Sequence, residues 1–147
     1  MQLSDILYKV KIRSVIGGTE LDIKDVQIDS RKITQGSLFI AVRGTAIDGH
    51  QFIAKAIKQG AVAIVHEQTS VEKKEGVTLV QVENTATAAG IIAHNFYNQP
   101  SAKMKVVGVT GTNGKTTIAT LLYKLFTSLG YKSGLISTIE NNIGNKT

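Results

Sequence analysis

The sequence predicts an α/β chain: a small N-terminal α/β domain over residues 1–100, then the first βαβ unit of a phosphate-loop domain over residues 101–147. Three observations predict it. Short apolar runs alternate with stretches of helical spacing along the first part of the chain. The only proline stands at Pro100, where that pattern stops and a second strand–helix–strand pattern starts. Within the second pattern a glycine-rich loop joins strand to helix, the context that a phosphate-binding loop requires.

Each element has its own signal. Ser4 is placed to cap a short helix over residues 5–10, with Ile6, Leu7 and Val10 on one face. Val26–Asp29 alternates like a half-buried strand and runs into the turn-like Ser30-Arg31-Lys32. Residues 37–42 form a continuous apolar run ended by Gly44, the pattern of a strand covered on both faces. Asp48-Gly49-His50 opens a helix carrying Phe52, Ile53, Ala56 and Ile57 at helical spacing, and Gly60 closes it. Ala61–Val65 and Val77–Val82 are two further apolar strands around the polar stretch 67–76. Asn84 begins a helix that turns Ala88, Ile91, Ile92 and Phe96 inward and stops before Pro100.

Beyond the proline, Lys105–Thr110 reads as a strand, Thr116–Leu129 as a helix ended by Gly130, and Ser133–Ile139 as the next strand. Leu121, Leu122, Leu125 and Leu129 mark the helix's apolar side, while Asn141, Asn142 and Asn145 make the last segment polar and turn-prone. Two strands and one helix leave both faces of a sheet open, so this unit is expected to be the truncated start of a larger domain.

Composition narrows the function classes. The chain has 147 residues, 17 basic against 11 acidic, a net charge of +6 and no cysteine. Without cysteine there is no disulfide scaffold, thiolate metal site or cysteine nucleophile, and a reducing cytoplasm fits. No apolar run approaches the roughly 20 residues that span a bilayer, and Met1–Asp5 lacks a signal-peptide pattern, so the expectation is a cytoplasmic protein with no membrane partner. The positive charge suits either nucleic acid or a phosphorylated, carboxylated small molecule. The basic residues are scattered and the longest positive run is two, which argues against nucleic acid.

The loop between strand and helix is Gly108-Val109-Thr110-Gly111-Thr112-Asn113-Gly114-Lys115-Thr116-Thr117. Glycines let the backbone turn its N–H groups toward an anion, and the helix that follows adds its positive end. Lys115 is placed to reach β- and γ-phosphates, and the Thr116 hydroxyl to ligate Mg²⁺. The strict template puts its first glycine where Val109 stands, with Gly108 and Gly111 on either side.

From Gly111 to Thr117 the chain resembles the ATP loop of the Mur ligases, which build the peptide stem of peptidoglycan. Cyanophycin synthetases share the Thr-Thr form, whereas folylpolyglutamate synthetases usually continue with Gly-Ser. Further motifs decide between them: Asp29-Ser30-Arg31, residues 36–41, Gly44, Asp48-Gly49-His50, Ala56-Ile57 and Gly60-Ala61. These resemble the uridine-nucleotide-binding domain of the MurE branch, which adds the third amino acid, lysine or diaminopimelate, to UDP-N-acetylmuramoyl-L-alanyl-D-glutamate.

The resemblance implies ATP and Mg²⁺ as cofactors and the UDP-N-acetylmuramoyl-dipeptide as small-molecule substrate. It implies that Gly111, Thr112, Asn113, Gly114, Lys115, Thr116 and Thr117 hold ATP, with Lys115 catalytic and Thr116 on the metal. Ile28 and Ser30 would line the uridine pocket, and Thr45, Ala46 and Ile47 would form the loop over the UDP group. The family's carbamylated lysine, further magnesium ligands and C-terminal domain would lie past residue 147, so this chain alone is expected to be inactive and to pair through its exposed sheet edge.

The residues themselves leave alternatives open. Ser30 suits a turn or helix cap as well as a phosphate or uracil contact. Arg31 reads as a surface residue as well as a phosphate partner, and Asp48 as the cap of a helix over residues 51–58. His50 has no partner histidine or carboxylate cluster in the sequence; His66 and His94 read as structural or exposed. A stand-alone UDP-sugar-binding module remains a second reading. A phosphate-loop nucleotidase is a third, but it needs an aspartate at a strand end, where the chain has Ser137-Thr138-Ile139-Glu140.

Overall fold

The computed structural model describes every residue except 45–46, 69–70 and 144–147. The chain divides into two compact units, Met1–Met104 and Lys105–Thr147.

The first unit is built on a five-stranded sheet. Its strands are β1 (Ile12–Ile16), β2 (Asp25–Gln27), β3 (Ser37–Ile40), β4 (Ala61–His66) and β5 (Thr78–Val82), in the order β1-β5-β4-β3-β2. The four from β2 to β5 are parallel, and β1 runs antiparallel along β5, pairing Ile12 with Val82 and Ile16 with Leu79. Parallel neighbours need crossovers, and here these are a 3-10 turn at Ser30–Lys32, a 3-10 turn at Gly49–Phe52 leading into helix α2 (Ile53–Lys58), and a loop between β4 and β5.

Every residue of β3 is buried, as its unbroken apolar run predicts. Alternation then divides its side chains between two cores. Leu38 and Ile40 join Val80, Val82, Ala88 and Ile92 on the face covered by α1 (Leu3–Ile6) and α3 (Thr85–Phe96). Phe39 and Ala41 join Ile33, Ile53, Ile64 and Leu79 on the face covered by α2. Burying each such large side chain is worth about 1.5–3 kcal/mol, so the sheet is held from both sides.

Helix ends follow local chemistry. Asn84 caps α3 by accepting the Thr87 N–H at 2.8 Å. Beyond α2, Gly60 takes φ +107°, and a Cβ there would lie 2.9 Å from the Gln35 Cα, so glycine is needed for both reasons. The first helix departs from expectation. It spans Leu3–Ile6 with Gln2 rather than Ser4 at its cap position, and Lys9 at φ +63° turns the chain out of helical geometry before Val10. Strand β1 was not expected, because its side chains are all exposed and carry no inward pattern.

In the second unit, helix α4 (Lys115–Ser128) stands where expected, and Gly130 at φ +83° lies just past its end. The two strands differ. Residues 105–110 form no ladder, and the strand expected over 133–139 contracts to β6 (Gly134–Ile136), antiparallel to β7 (Asn141–Ile143). The asparagine-rich end therefore supplies a strand where a turn-prone segment was expected. The reason is pairing: a strand forms only against a neighbour, and among the described residues β6 finds one in 141–143.

Candidate functional site

Each unit carries one candidate region. In the second unit, the segment from Gly111 to Thr117 leads directly into α4. Gly111 takes φ +147° and Gly114 φ +76°, conformations that side chains disfavour, which bends the main chain into a tight loop. Gly114 occupies the cap position of α4, and no side chain caps the helix. A helix start without a side-chain cap leaves its first amides for an external acceptor. The Lys115 ammonium folds back over the loop and donates to the Gly111 carbonyl at 2.5 Å and the Thr112 carbonyl at 3.2 Å. Thr112, Asn113, Lys115 and Thr117 are exposed and Thr116 is half-buried. This donor set fits a polyphosphate: turned amides, a positive helix end and one mobile cation, with a threonine hydroxyl as a hard oxygen for a cation such as Mg²⁺.

In the first unit, the parallel sheet brings the chain segments after β2, β3 and β4 to one edge, their carboxyl ends. Open α/β sheets bind ligands outside that edge. Ile28 follows β2 with its side chain 63% exposed, an apolar surface left to solvent or to a planar partner. Ser30 is buried at the head of the next turn. That turn is capped by Asp29, which accepts the Arg31 N–H at 3.0 Å, so Ser30 is not the cap, and its hydroxyl makes no hydrogen bond among the described residues. Arg31 also forks onto the Asp29 carboxylate at 2.8–3.2 Å, which holds that carboxyl well below its usual range. The Arg31 guanidinium is thus occupied by its neighbour. Ile47, after β3, is 62% exposed; Thr45 and Ala46 lie outside the described residues.

Behind this edge lies a network that sequence reasoning missed. Asp48 caps the Gly49–Phe52 turn by accepting the His50 N–H at 3.0 Å, and the same oxygen lies 2.6 Å from His50 Nδ1. The buried imidazole turns its other nitrogen, Nε2, to accept the Glu67 N–H at 2.9 Å. With Nε2 accepting, Nδ1 is the nitrogen that donates to Asp48. Glu67 continues the chain: its Oε1 accepts both the N–H and the hydroxyl of the buried Thr85, each at 2.7 Å. These bonds hold the Asp48 and Glu67 carboxyls below their usual ranges, chiefly through the His50 and Thr85 backbone N–H groups respectively. The available signal was spacing in space, not in sequence: Glu67 sits at the end of an apolar strand, 17 positions from His50.

His66, one residue earlier, is buried, and among the described residues its Nδ1 makes no well-formed hydrogen bond. Burial pushes its imidazole below its ordinary value. His94 stands in α3, where its Nδ1 lies 3.0 Å from the Ser101 hydroxyl.

Comparison with known proteins accounts for both units. Residues 22–97 match the family described as "Mur ligase family, catalytic domain", and residues 109–147 match "Mur ligase middle domain". A relative from Cytophaga hutchinsonii, named UDP-N-acetylmuramoyl-L-alanyl-D-glutamate--2,6-diaminopimelate ligase, is 54% identical over 147 residues, covering 99% of this chain and 30% of its own. A solved structure of a ligase of that name superposes with a TM-score of 0.71 over 97% of this chain and 28% of that one, at 24% identity, and supports the fold. The MurF ligase of Thermotoga maritima, solved in complex with ADP, superposes with a TM-score of 0.54 at 32% identity over 71% of this chain and 23% of that one. The chain thus spans about 30% of the length of the first curated relative it matches. With one of these domain matches covering more than half its length and the other most of the remainder, the chain belongs to the Mur ligase family.

Proposed function

We propose that this chain is the N-terminal part of an ATP-dependent ligase that joins a third amino acid, diaminopimelate or lysine, to UDP-N-acetylmuramoyl-L-alanyl-D-glutamate. The observation that carries the proposal is the loop 111–117, with left-handed glycines, an α4 start without a side-chain cap and the Lys115 ammonium resting on its carbonyls. In this reading Gly111, Thr112, Asn113, Gly114 and Thr117 wrap the ATP phosphates, and the Thr116 hydroxyl holds Mg²⁺. ATP supplies the phosphoryl group that activates the D-glutamyl carboxylate for attack by the incoming amine.

The chain's own contribution is electrostatic. Charge spreads over the phosphoryl oxygens during transfer, and prepositioned N–H groups together with one lysine stabilise it. For Lys115 this means leaving the Gly111 and Thr112 carbonyls and turning to phosphate oxygen. The uridine end of the substrate would lie on the first unit, where Ile28 and Ile47 offer exposed apolar surface and Ser30 a hydroxyl without a hydrogen bond among the described residues, at the sheet's carboxyl edge; by sequence Thr45 and Ala46 are proposed to contact the UDP group as well. Such a reaction places the protein in the cytoplasm, where nucleotide-activated precursors and ATP are available.

Calorimetric titration tests this directly. The chain is expected to bind ATP–Mg²⁺, with Lys115→Ala weakening it about a hundredfold, the scale of losing a charge-assisted contact. It is also expected to bind the UDP-dipeptide in competition with UMP. Tight UDP-dipeptide binding that UMP leaves untouched would remove Ile28, Ser30 and Ile47 from the site. Spanning about 30% of its relatives' length, the 147-residue chain is expected to form no product from ATP, dipeptide and diamino acid; product formation would contradict that part.

A further inference from the structure

We infer that His50 is a positioning residue for the loop between β3 and the Gly49–Phe52 turn, acting as a strut between Asp48 on that loop and Glu67 at the end of β4. The inference rests on the proposed uridine reading of this edge and adds the group that holds the loop in place.

The loop's two arms are joined at their base. Arg43 and Asp48 form an antiparallel bridge, the Gly44 N–H donates to the Ile47 carbonyl at 3.0 Å, and the Gly49 N–H donates to the Val42 carbonyl at 2.9 Å. Glycine is required at 49, since a Cβ there would lie 2.6 Å from the Val42 oxygen. The arm entering the loop is tied to β4 by the Ala41 N–H on the Val65 carbonyl at 2.9 Å, whereas the arm leaving it needs a tie of its own. His50 provides that tie. One nitrogen holds the loop's Asp48 and the other takes the first backbone amide beyond β4. Glu67 in turn grips the first residue of α3 through two 2.7 Å bonds. Loop, strand end and helix start are therefore fixed by one unbroken set of hydrogen bonds.

The imidazole suits this position because it alone presents a donor and an acceptor on opposite sides of a rigid ring. A glutamine in its place reaches one partner at a time, through a flexible stem. A histidine present only to fill the core would leave Asp48 and the Glu67 amide with other partners.

The test uses the 147-residue chain, with His50→Gln and Asp48→Ala. Two quantities are read: hydrogen exchange at the Gly44 amide, which no imidazole atom touches, and the dissociation constant for the UDP-dipeptide. Both variants are expected to speed Gly44 exchange and to weaken UDP-dipeptide binding, each about tenfold. Unchanged exchange and affinity, even with a lowered melting temperature, would overturn the inference and leave His50 a packing residue. If His50→Gln does not fold, Asp48→Ala decides, since it removes the acceptor facing Nδ1 while keeping the imidazole and its Glu67 contact. Failure of the unaltered chain to bind the UDP-dipeptide would sink the uridine reading instead, while Gly44 exchange still decides whether His50 fixes the loop.

Discussion

Asp48, Glu67 and Asp29 each accept a main-chain N–H in the folded chain, and His66 is buried; together these residues set how the fold responds to acid. A carboxylate whose folded value lies below its ordinary 3.8 (aspartate) or 4.5 (glutamate) adds stability above that ordinary value and loses it as the pH falls through the folded one. A histidine held below 6.5 acts at higher pH: the unfolded chain takes its proton first, so stability declines as the pH falls below 6.5. Two declines are therefore expected in urea-unfolding midpoints measured from pH 8 to pH 3. The first begins near pH 6.5 and disappears in His66→Asn; the second begins below pH 4.5 and is shallower in Glu67→Gln. A flat midpoint between pH 7 and 5 would show that the His66 ring is freely protonated in the fold.

Among the elements, α3 depends most visibly on one side chain. Asn84 satisfies an amide of the first turn, and Ala88 and Ile92 then key the helix into the core. Asn84→Ala is expected to cost about 1 kcal/mol in denaturant unfolding, and an effect below a few tenths would mean the Glu67 carboxylate already holds that helix end. This helix, α2 and the three buried strands were all legible in the sequence, the helices from apolar residues at helical spacing and the strands from nearly unbroken apolar runs. Strand β1 was not legible: its five residues are all exposed, and its place comes from pairing with β5, through the backbone and through the Ser14 hydroxyl, which donates to Gln81 Oε1 at 3.1 Å. The segment 105–110 failed for the opposite reason, having the apolar pattern of a strand but no partner among the described residues. The phosphate loop was readable because its chemistry is contiguous. The Asp48–His50–Glu67–Thr85 network was not, since it is assembled across three elements.

For the molecule as a whole, both hydrophobic clusters lie within Met1–Met104, and in the second unit Leu135 is the one buried hydrophobic side chain among the described residues. A chain ending at Met104 is accordingly expected to keep the amide spectrum of residues 1–95, and collapse of that spectrum would show that the first unit does not stand alone. Within that unit the antiparallel edge has a consequence for synthesis. The β1 segment leaves the ribosome early, yet its hydrogen-bonding partner is the last strand of the sheet, with Ile12 facing Val82. Until β5 emerges, Ile12, Val15 and Ile16 have no strand beside them, and closing so long a loop is entropically slow. The sheet is thus finished when its last strand pairs back onto its first, and the nascent chain carries an unpaired, β-prone segment through most of the domain's translation.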